Sequence, residues 1–491
     1  MVVITIGAST WTMPLENDRR LYLTLDQGGH ASRALVFDAH GVALAKGLRE
    51  VGVQRPRADW VEQDAEELVA SLRAAIDDAL SSGGIQAAQI AAVGLATQRS
   101  SIACWDRISG KALAPVISWQ DRRAHQWLMQ FTPQAAAIQA TTGLPLSPHY
   151  GASKLRWCLD HLPAVSQAHS QGRLACGPLA SFLVFRLTQE HSFLVDPANG
   201  GRTLLCSLAT QEWDAELLKL FGIPHSALPT CVQTLHAFGN IEIGKQRVPL
   251  RVVTGDQSAA LFAQGAPRAD SAYINLGTGA FVQRLSADFP GPQAQLLTSI
   301  VLQEPDAITY ALEGTVNGAG AALQWIETQL GIEDLEQQLP QWLAESSEPP
   351  LFLNAVGGLG APFWVANFES RFVGAGEPWQ KVVAVAESIV FLLQANLEIL
   401  ARSEPLEKII ASGGLTWYDG LCQRLSDLSG LPLQRSAEYE ATARGTAWLL
   451  AGKPTHWAES QPGLWFQPCA NAPLQARYRR WRAALHAALS A

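Results

Sequence analysis

The sequence predicts an α/β protein of two lobes around a central cleft. Two observations carry this reading: a Gly-tipped β-hairpin pattern that occurs twice, half a chain apart, and alternating helix and strand signals behind each copy. Length agrees, because 491 residues exceed what one ordinary core holds.

In the first hairpin, Leu21-Tyr-Leu-Thr-Leu-Asp26 alternates as a strand, Gly28-Gly29 turns, and Ser32 to Asp38 returns. In the second, Ser271 to Leu276 runs into Gly277-Thr278-Gly279 and leaves as Ala280 to Arg284. A short Gly-bearing tip can bring backbone N–H groups close to an anion. Either copy alone also reads as an ordinary hairpin; recurrence at matching places favours the functional reading. Behind the first, Asp64 caps a helix running through Leu80, with Leu68, Leu72, Ile76 and Leu80 on one face. A buried-type strand over Ile90 to Ala96 then ends at Thr97-Gln98-Arg99. Behind the second, a helix over Val382 to Ala401 precedes a strand at Lys408 to Ser412 and the pair Gly413-Gly414. Open α/β sheets place ligands where a strand ends beside a helix start. The expected organisation is an extension over 1–20 with no assigned role, a first lobe over 21–250 and a second over 251–455. The change of lobe is expected near Val248 to Val253. A tail over 456–491 closes on a basic amphipathic helix (Leu474 to Leu489) whose Arg-rich face reads as solvated surface.

The net charge is −8, from 36 basic and 44 acidic residues without any block of like sign. That argues against nucleic acid or an anionic membrane as partner. Seven scattered cysteines, with no Cys-x-x-Cys pair, argue against a disulfide framework or zinc site and for a reducing compartment. The start is apolar for only a few residues and has no basic flank, so no signal peptide or membrane span is predicted and the expected location is cytoplasmic. A homodimer is left open. No Gly-x-x-x-x-Gly-Lys-Ser/Thr loop, complete dinucleotide fingerprint or protein-kinase motif occurs, so a bound nucleotide must be held in another way.

Several short stretches occur in one order that resembles the FGGY carbohydrate kinases, and within them most nearly the glycerol kinases. They include Leu25-Asp-Gln-Gly28, Ser32-Arg-Ala34, Trp60-Val-Glu62, Gln98-Arg99, Trp119-Gln120, Arg122-Arg123 and Lys154-Leu-Arg-Trp157. Gly201-Arg-Thr203, Gly255-Asp-Gln257, Gly277-Thr-Gly279, Leu312-Glu-Gly314, Gly318-Ala-Gly320, Gln324-Trp325, Gly358 to Pro362 and Gly413-Gly414 continue the series. The resemblance implies two hinged ribonuclease-H-like (actin-like ATPase) lobes, with ATP and Mg²⁺ on the second and a small sugar or polyol deep in the cleft. An alcohol is a poor nucleophile, so a carboxylate must take its proton; such a base is worth roughly 10²–10⁴-fold. The resemblance gives that role to Asp256. It places Asp26, with Asp256, near the metal. Gly28, Gly29, His30, Arg33, Gly277, Thr278, Gly279, Gly320, Gln324, Gly413, Gly414 and Tyr418 fall on the nucleotide side. Arg99, Ser100, Trp119, His149, Asp256, Gln257 and Phe281 fall on the substrate side.

Departures from the family pattern bear on the substrate. Where the first tip usually reads Asp-x-Gly-Thr-Thr, this chain has Asp26-Gln-Gly-Gly-His30, so hydroxyls are lost; His30 either replaces one or is a plain turn residue. Tyr418 stands at a position usually held by Asn. The Arg-Glu pair that grips glycerol hydroxyls is Arg99-Ser100, and the tyrosine closing that pocket is His149. Ala180 stands where the family carries an Asp. Losing a carboxylate acceptor leaves a substrate hydroxyl unpaired, which favours a ketose or a polyol larger than glycerol. Two other readings stay open: a catalytically degenerate clamshell that binds sugar or nucleotide without turnover, and an actin-like polymer subunit.

Overall fold

The computed structural model describes residues 3–6, 9–12, 20–345, 348–365, 367–436, 438, 440–458 and 463–490. Of the extension read over 1–20, residues 1–2, 7–8 and 13–19 lie outside the described residues; Val3–Ile6 and Ser9–Thr12 pair as a short antiparallel hairpin.

The first sheet has six strands in the order Asn240–Ile243, Gln246–Gly255, Ile90–Thr97, Leu21–Gln27, Ala31–Phe37, Ala43–Glu50. Leu21–Gln27 is buried along its whole length, as a central strand covered on both faces must be. It pairs antiparallel with Ala31–Phe37, setting Asp26 opposite Arg33. On its other side it runs parallel to Ile90–Thr97, which runs parallel to Gln246–Gly255. That register puts Gln27, Thr97 and Gly255 in one row at the carboxyl edge. Residues following in sequence, Gln98-Arg99 and Asp256-Gln257, therefore leave the sheet side by side.

The second sheet repeats the scheme with seven strands: Leu297–Gln303, Ile308–Val316, Ala280–Ser286, Ser271–Leu276, Lys408–Ser412, Leu433–Arg435, Leu464–Phe466. Again a hairpin and a third antiparallel strand lie to one side and parallel strands to the other. Asn275 sits opposite Ser412, so the second hairpin tip and Gly413-Gly414 share an edge.

Helix Ala65–Gly83 starts as expected: Asp64 accepts from the backbone N–H groups of Glu66 and Glu67, and Gly84 closes it in the left-handed conformation. Helix Pro378–Leu400 is long and apolar enough to cross a membrane by composition, yet it is the buried core helix of the second lobe.

Three features lie at or across the expected boundaries. The lobe change near Val248 to Val253 falls inside the single strand Gln246–Gly255, because its register with Ile90–Thr97 continues to Gly255. Helix Ala441–Leu450, read as part of the second lobe, packs beside Asp256–Ala260 and reaches across to the first sheet, its Trp448 and Leu449 joining Tyr22, Ala92 and Val252. The tail is no loose appendage: Leu464–Phe466 is an edge strand, and helix Ala472–Ser490 buries Leu474, Tyr478, Trp481 and Leu485. Its Arg477 is not solvated but pairs with Glu387 through contacts of 2.8 and 2.6 Å.

The crossing of Ala441–Leu450 over Asp256–Ala260 depends on Gly445. A Cβ there would lie 1.8 Å from the carbonyl oxygen of Ala259. Helix propensity alone would make Gly445→Ala favourable by about 1 kcal/mol, but backbone cannot yield as a side chain can. Gly445→Ala should destabilise the protein by about 1–3 kcal/mol, read as a lower urea midpoint.

Candidate active site

Asp26 ends the first strand and is buried. Arg33, its cross-strand partner, lies with Nη1 3.5 Å from Asp26 Oδ2 and Nε 3.7 Å from Glu440 Oε2; Lys46 also binds Glu440. Burial pushes the Asp26 carboxyl up to about 7, helped by the nearby charges of Asp256 and Glu440 and opposed by Arg33. At the tip the Gly28 N–H donates to Ala31 O at 3.0 Å, and Gln63 Nε2 donates to Gly29 O at 3.0 Å. Gln98 Nε2 in turn donates to Gln63 Oε1 at 2.6 Å. His30 is exposed, its carbonyl accepting from Val51 N–H.

Asp256 opens helix Asp256–Ala260, and the Gln257 N–H donates to its Oδ1 at 2.7 Å. Burial raises its pKa, while Arg99, that N–H and Arg202 pull the other way. Gly255 is needed for close approach: a Cβ would stand 2.5 Å from Arg99 Cδ. Arg99 crosses here to donate to Gln257 Oε1 and, through Nη1, to Glu313 Oε1 at 3.2 Å. Glu313 belongs to strand Ile308–Val316 of the second lobe and is fully buried; its other oxygen accepts from Arg202. Burial would raise the Glu313 pKa, but the two guanidinium groups hold it at about 2. On the same face, cross-strand pairing sets Gln283 against Glu313 and Phe281 against Thr315, bringing half-buried Phe281 beside the triad.

Ser100 follows Arg99 in a left-handed conformation (φ 66°), its hydroxyl buried without a partner. Lys154, fully buried on helix Gly151–His161, donates to Ser100 O at 3.0 Å and to His149 O at 2.7 Å. The His149 ring sits edge-on to Trp119 at 5.6 Å and to Tyr150 at 5.1 Å. Burial, reinforced by Lys154, Arg122, Arg202 and Arg99, holds His149 well below the usual imidazole range. Ala180 is a packed core residue.

The second-lobe residues form a separate, more open group. Gly277 N–H donates to Gly279 O at 2.9 Å, and exposed Thr278 accepts through its carbonyl from Ala319 and Ala321. This ties the tip to the start of helix Gly320–Leu330, which carries exposed Gln324. Gly413 adopts φ +95° with a virtual Cβ 2.5 Å from Leu276 O, a place only glycine fits. Gly414 begins the turn leading to half-buried Tyr418, close enough to Glu336 and Glu327 for their charges to act on its hydroxyl.

The structure thus brings Asp26, Arg33, Arg99, Asp256 and Gln257 to one sheet edge, Ser100, Trp119 and His149 to an adjoining wall, and the glycine set to the facing lobe. Sequence reasoning quoted Glu313, Arg202, Lys154 and Arg122 inside motifs but gave them no role. Glu313 meets Arg99 and Arg202 across 214 and 111 residues, and Lys154 meets Ser100 across 54, so these pairings were not readable from short stretches of sequence.

Two tests follow. Glu313→Ala strands two buried guanidinium groups and should destabilise by about 3–5 kcal/mol in urea denaturation. Asp26 holds its proton more tightly folded than unfolded, so its contribution to stability declines as pH rises from about 4 through about 7. Asp26→Asn should therefore raise the thermal midpoint more at about pH 8 than at about pH 4.

Comparison with known proteins places this geometry. Residues 21–263 match the N-terminal domain, and residues 272–452 the C-terminal domain, of the FGGY family of carbohydrate kinases. The chain is 36% identical over 437 residues to a glycerol kinase of Acinetobacter baylyi, covering 87% of this chain and 88% of that one. It is 32% identical over 488 residues to a glycerol kinase of Deinococcus radiodurans, covering 96% and 97%. The fold matches Plasmodium falciparum glycerol kinase with ADP at a TM-score of 0.87 (24% identity, 96% and 98% covered). It matches xylulose kinase from Rhodospirillum rubrum at 0.84 (21% identity, 96% and 100% covered). Two lobes built on one repeated scheme, with a carboxylate at the shared edge, are thereby accounted for: the chain belongs to the FGGY family of carbohydrate kinases.

Proposed function

We propose that the chain transfers the γ-phosphoryl group of ATP to a hydroxyl of a sugar or polyol, with Asp256 as the base. The observation that carries this is the row of Gln27, Thr97 and Gly255, which delivers Asp26, Arg99 and Asp256 to one edge of the first sheet. Asp256 is half-buried, held by a single backbone N–H and raised in pKa, as suits a proton acceptor. Arg99, fixed by Glu313 and Gln257, orients the acceptor beside it.

ATP and Mg²⁺ come with family membership, and the residues fit the ion. Asp26 and Asp256 raise each other's burden of charge, with Arg33 at 3.5 Å the only ion-pair partner of Asp26 among the described residues. These two carboxylates would hold Mg²⁺ largely through water, and the ion, when bound, supplies neutralising charge to the phosphates. The tips at Gly28, Gly29 and His30 and at Gly277, Thr278 and Gly279, with Arg33, take the phosphate side. Gly320, Gln324, Gly413, Gly414 and Tyr418 take the rest of the nucleotide.

Ser100 in place of a glutamate shortens one wall of the acceptor pocket, which supports an acceptor larger than glycerol, a ketose or longer polyol. Seven free thiols support a cytoplasmic location. The test is ADP release across polyols, ketoses and their acids. Asp256→Asn should lower kcat by about 10²–10⁴-fold while calorimetric ATP binding persists; retained turnover would remove Asp256 from the base role.

A further inference from the structure

Two fully buried glutamines stand behind the first hairpin tip. Gln63 lies in the short strand Glu62–Gln63, paired with Val116, and Asp64, the cap of helix Ala65–Gly83, follows it at once. Gln98 follows strand Ile90–Thr97, and its backbone N–H donates to Gln27 O at 2.9 Å. With both main chains held, the two side chains run in series toward the tip. Gln98 Nε2 donates to Gln63 Oε1 at 2.6 Å, and Gln63 Nε2 donates to Gly29 O at 3.0 Å.

The direction of this series is set at its end. A peptide carbonyl only accepts, so Gln63 must turn its amide N–H to Gly29 and its oxygen to Gln98. Gln98 must then offer N–H to Gln63, which leaves its own Oε1 on the other side, buried and unpaired. A Cβ on Gly29 would stand 3.7 Å from that oxygen, with no other atom beyond its chain neighbours within 4 Å among the described residues.

The carbonyl of Gly29 and the N–H of His30 belong to one trans peptide and point in opposite directions. Holding the carbonyl toward buried Gln63 therefore turns the His30 N–H outward, where His30 itself is exposed. The adjoining groups are tied too, the Gly28 N–H to Ala31 O and His30 O to the Val51 N–H. Glycine sets little preference of its own, so the aim of this peptide comes from the clamp.

We propose that Gln63 and Gln98 are positioning residues for phosphoryl transfer, which aim the His30 N–H at the nucleotide phosphates by clamping the Gly29 carbonyl. This rests on the reading that the first tip takes the phosphates, and it names what aims that tip. Neither glutamine takes part in the chemistry. A donor aligned beforehand needs no reorganisation when charge moves onto the phosphate oxygens.

The test uses the full chain and compares MgATP with adenosine by calorimetry. Gln63→Met keeps the side-chain length and removes the clamp. It should weaken MgATP about tenfold and leave adenosine within about twofold, because only phosphates meet the tip. Gln98→Met should act in the same direction with a smaller loss. No binding of MgATP by the parent protein, unchanged binding in Gln63→Met, or equal losses for MgATP and adenosine overturns the proposal. If no acceptor releases ADP, the kinase reading fails, and these titrations still decide the clamp. A second pair, Gly29→Ser and Gly29→Ala, leaves both glutamines in place. Only the serine hydroxyl can donate to Gln98 Oε1, so Gly29→Ser should unfold about 1–3 °C above Gly29→Ala. Equal midpoints would mean that the series does not run in this direction, and the proposal falls.

Discussion

The site is organised by one buried triad, Glu313 between Arg99 and Arg202. Glu313 comes from the second sheet and both arginines from the first lobe, so the triad fixes how the two lobes meet. A buried ion pair adds little to stability over a well-packed apolar contact, but once present it tolerates no missing member. Its value here is placement. Glu313 anchors Arg99, Arg99 binds Gln257, and Gln257 follows the Asp256 carboxylate. Strand register sets Phe281 on the same face as Glu313.

Beside that well-paired centre stands a less balanced one. Burial, with the charge of Asp256 beside it, raises the Asp26 carboxyl to about 7 despite Arg33. A protein selected only for stability would place an amide there. Two carboxylates at one edge, one of them raised by burial and by the other's charge, form a pair that a cation would stabilise. The triad and the carboxylate pair are neighbours because Arg99 and Asp256 follow adjacent parallel strands of the first sheet.

The substrate wall shows how a few substitutions re-aim an old frame. Lys154 ties the backbones of Ser100 and His149 together, so both departures from the family pattern are held by one buried side chain.

By itself the sequence determined the repeated scheme, because strand alternation, Asp64 capping and Gly-bearing tips are local properties that short windows record. Helix Ala65–Gly83 and strand Lys408–Ser412 emerge where the pattern puts them, and the FGGY motifs carried the family. Only the tertiary structure decided that Gln246–Gly255 is held in the first sheet by register and that helix Ala441–Leu450 crosses Asp256–Ala260 at Gly445. It alone decided that Arg477 is a buried partner of Glu387 and not a surface charge. The roles of Glu313, Arg202 and Lys154 were hidden for the same reason: a charge buried by a distant partner looks, in sequence, like any solvated one. Local physics is written along the chain, whereas pairing across hundreds of residues exists only once the sheets have formed.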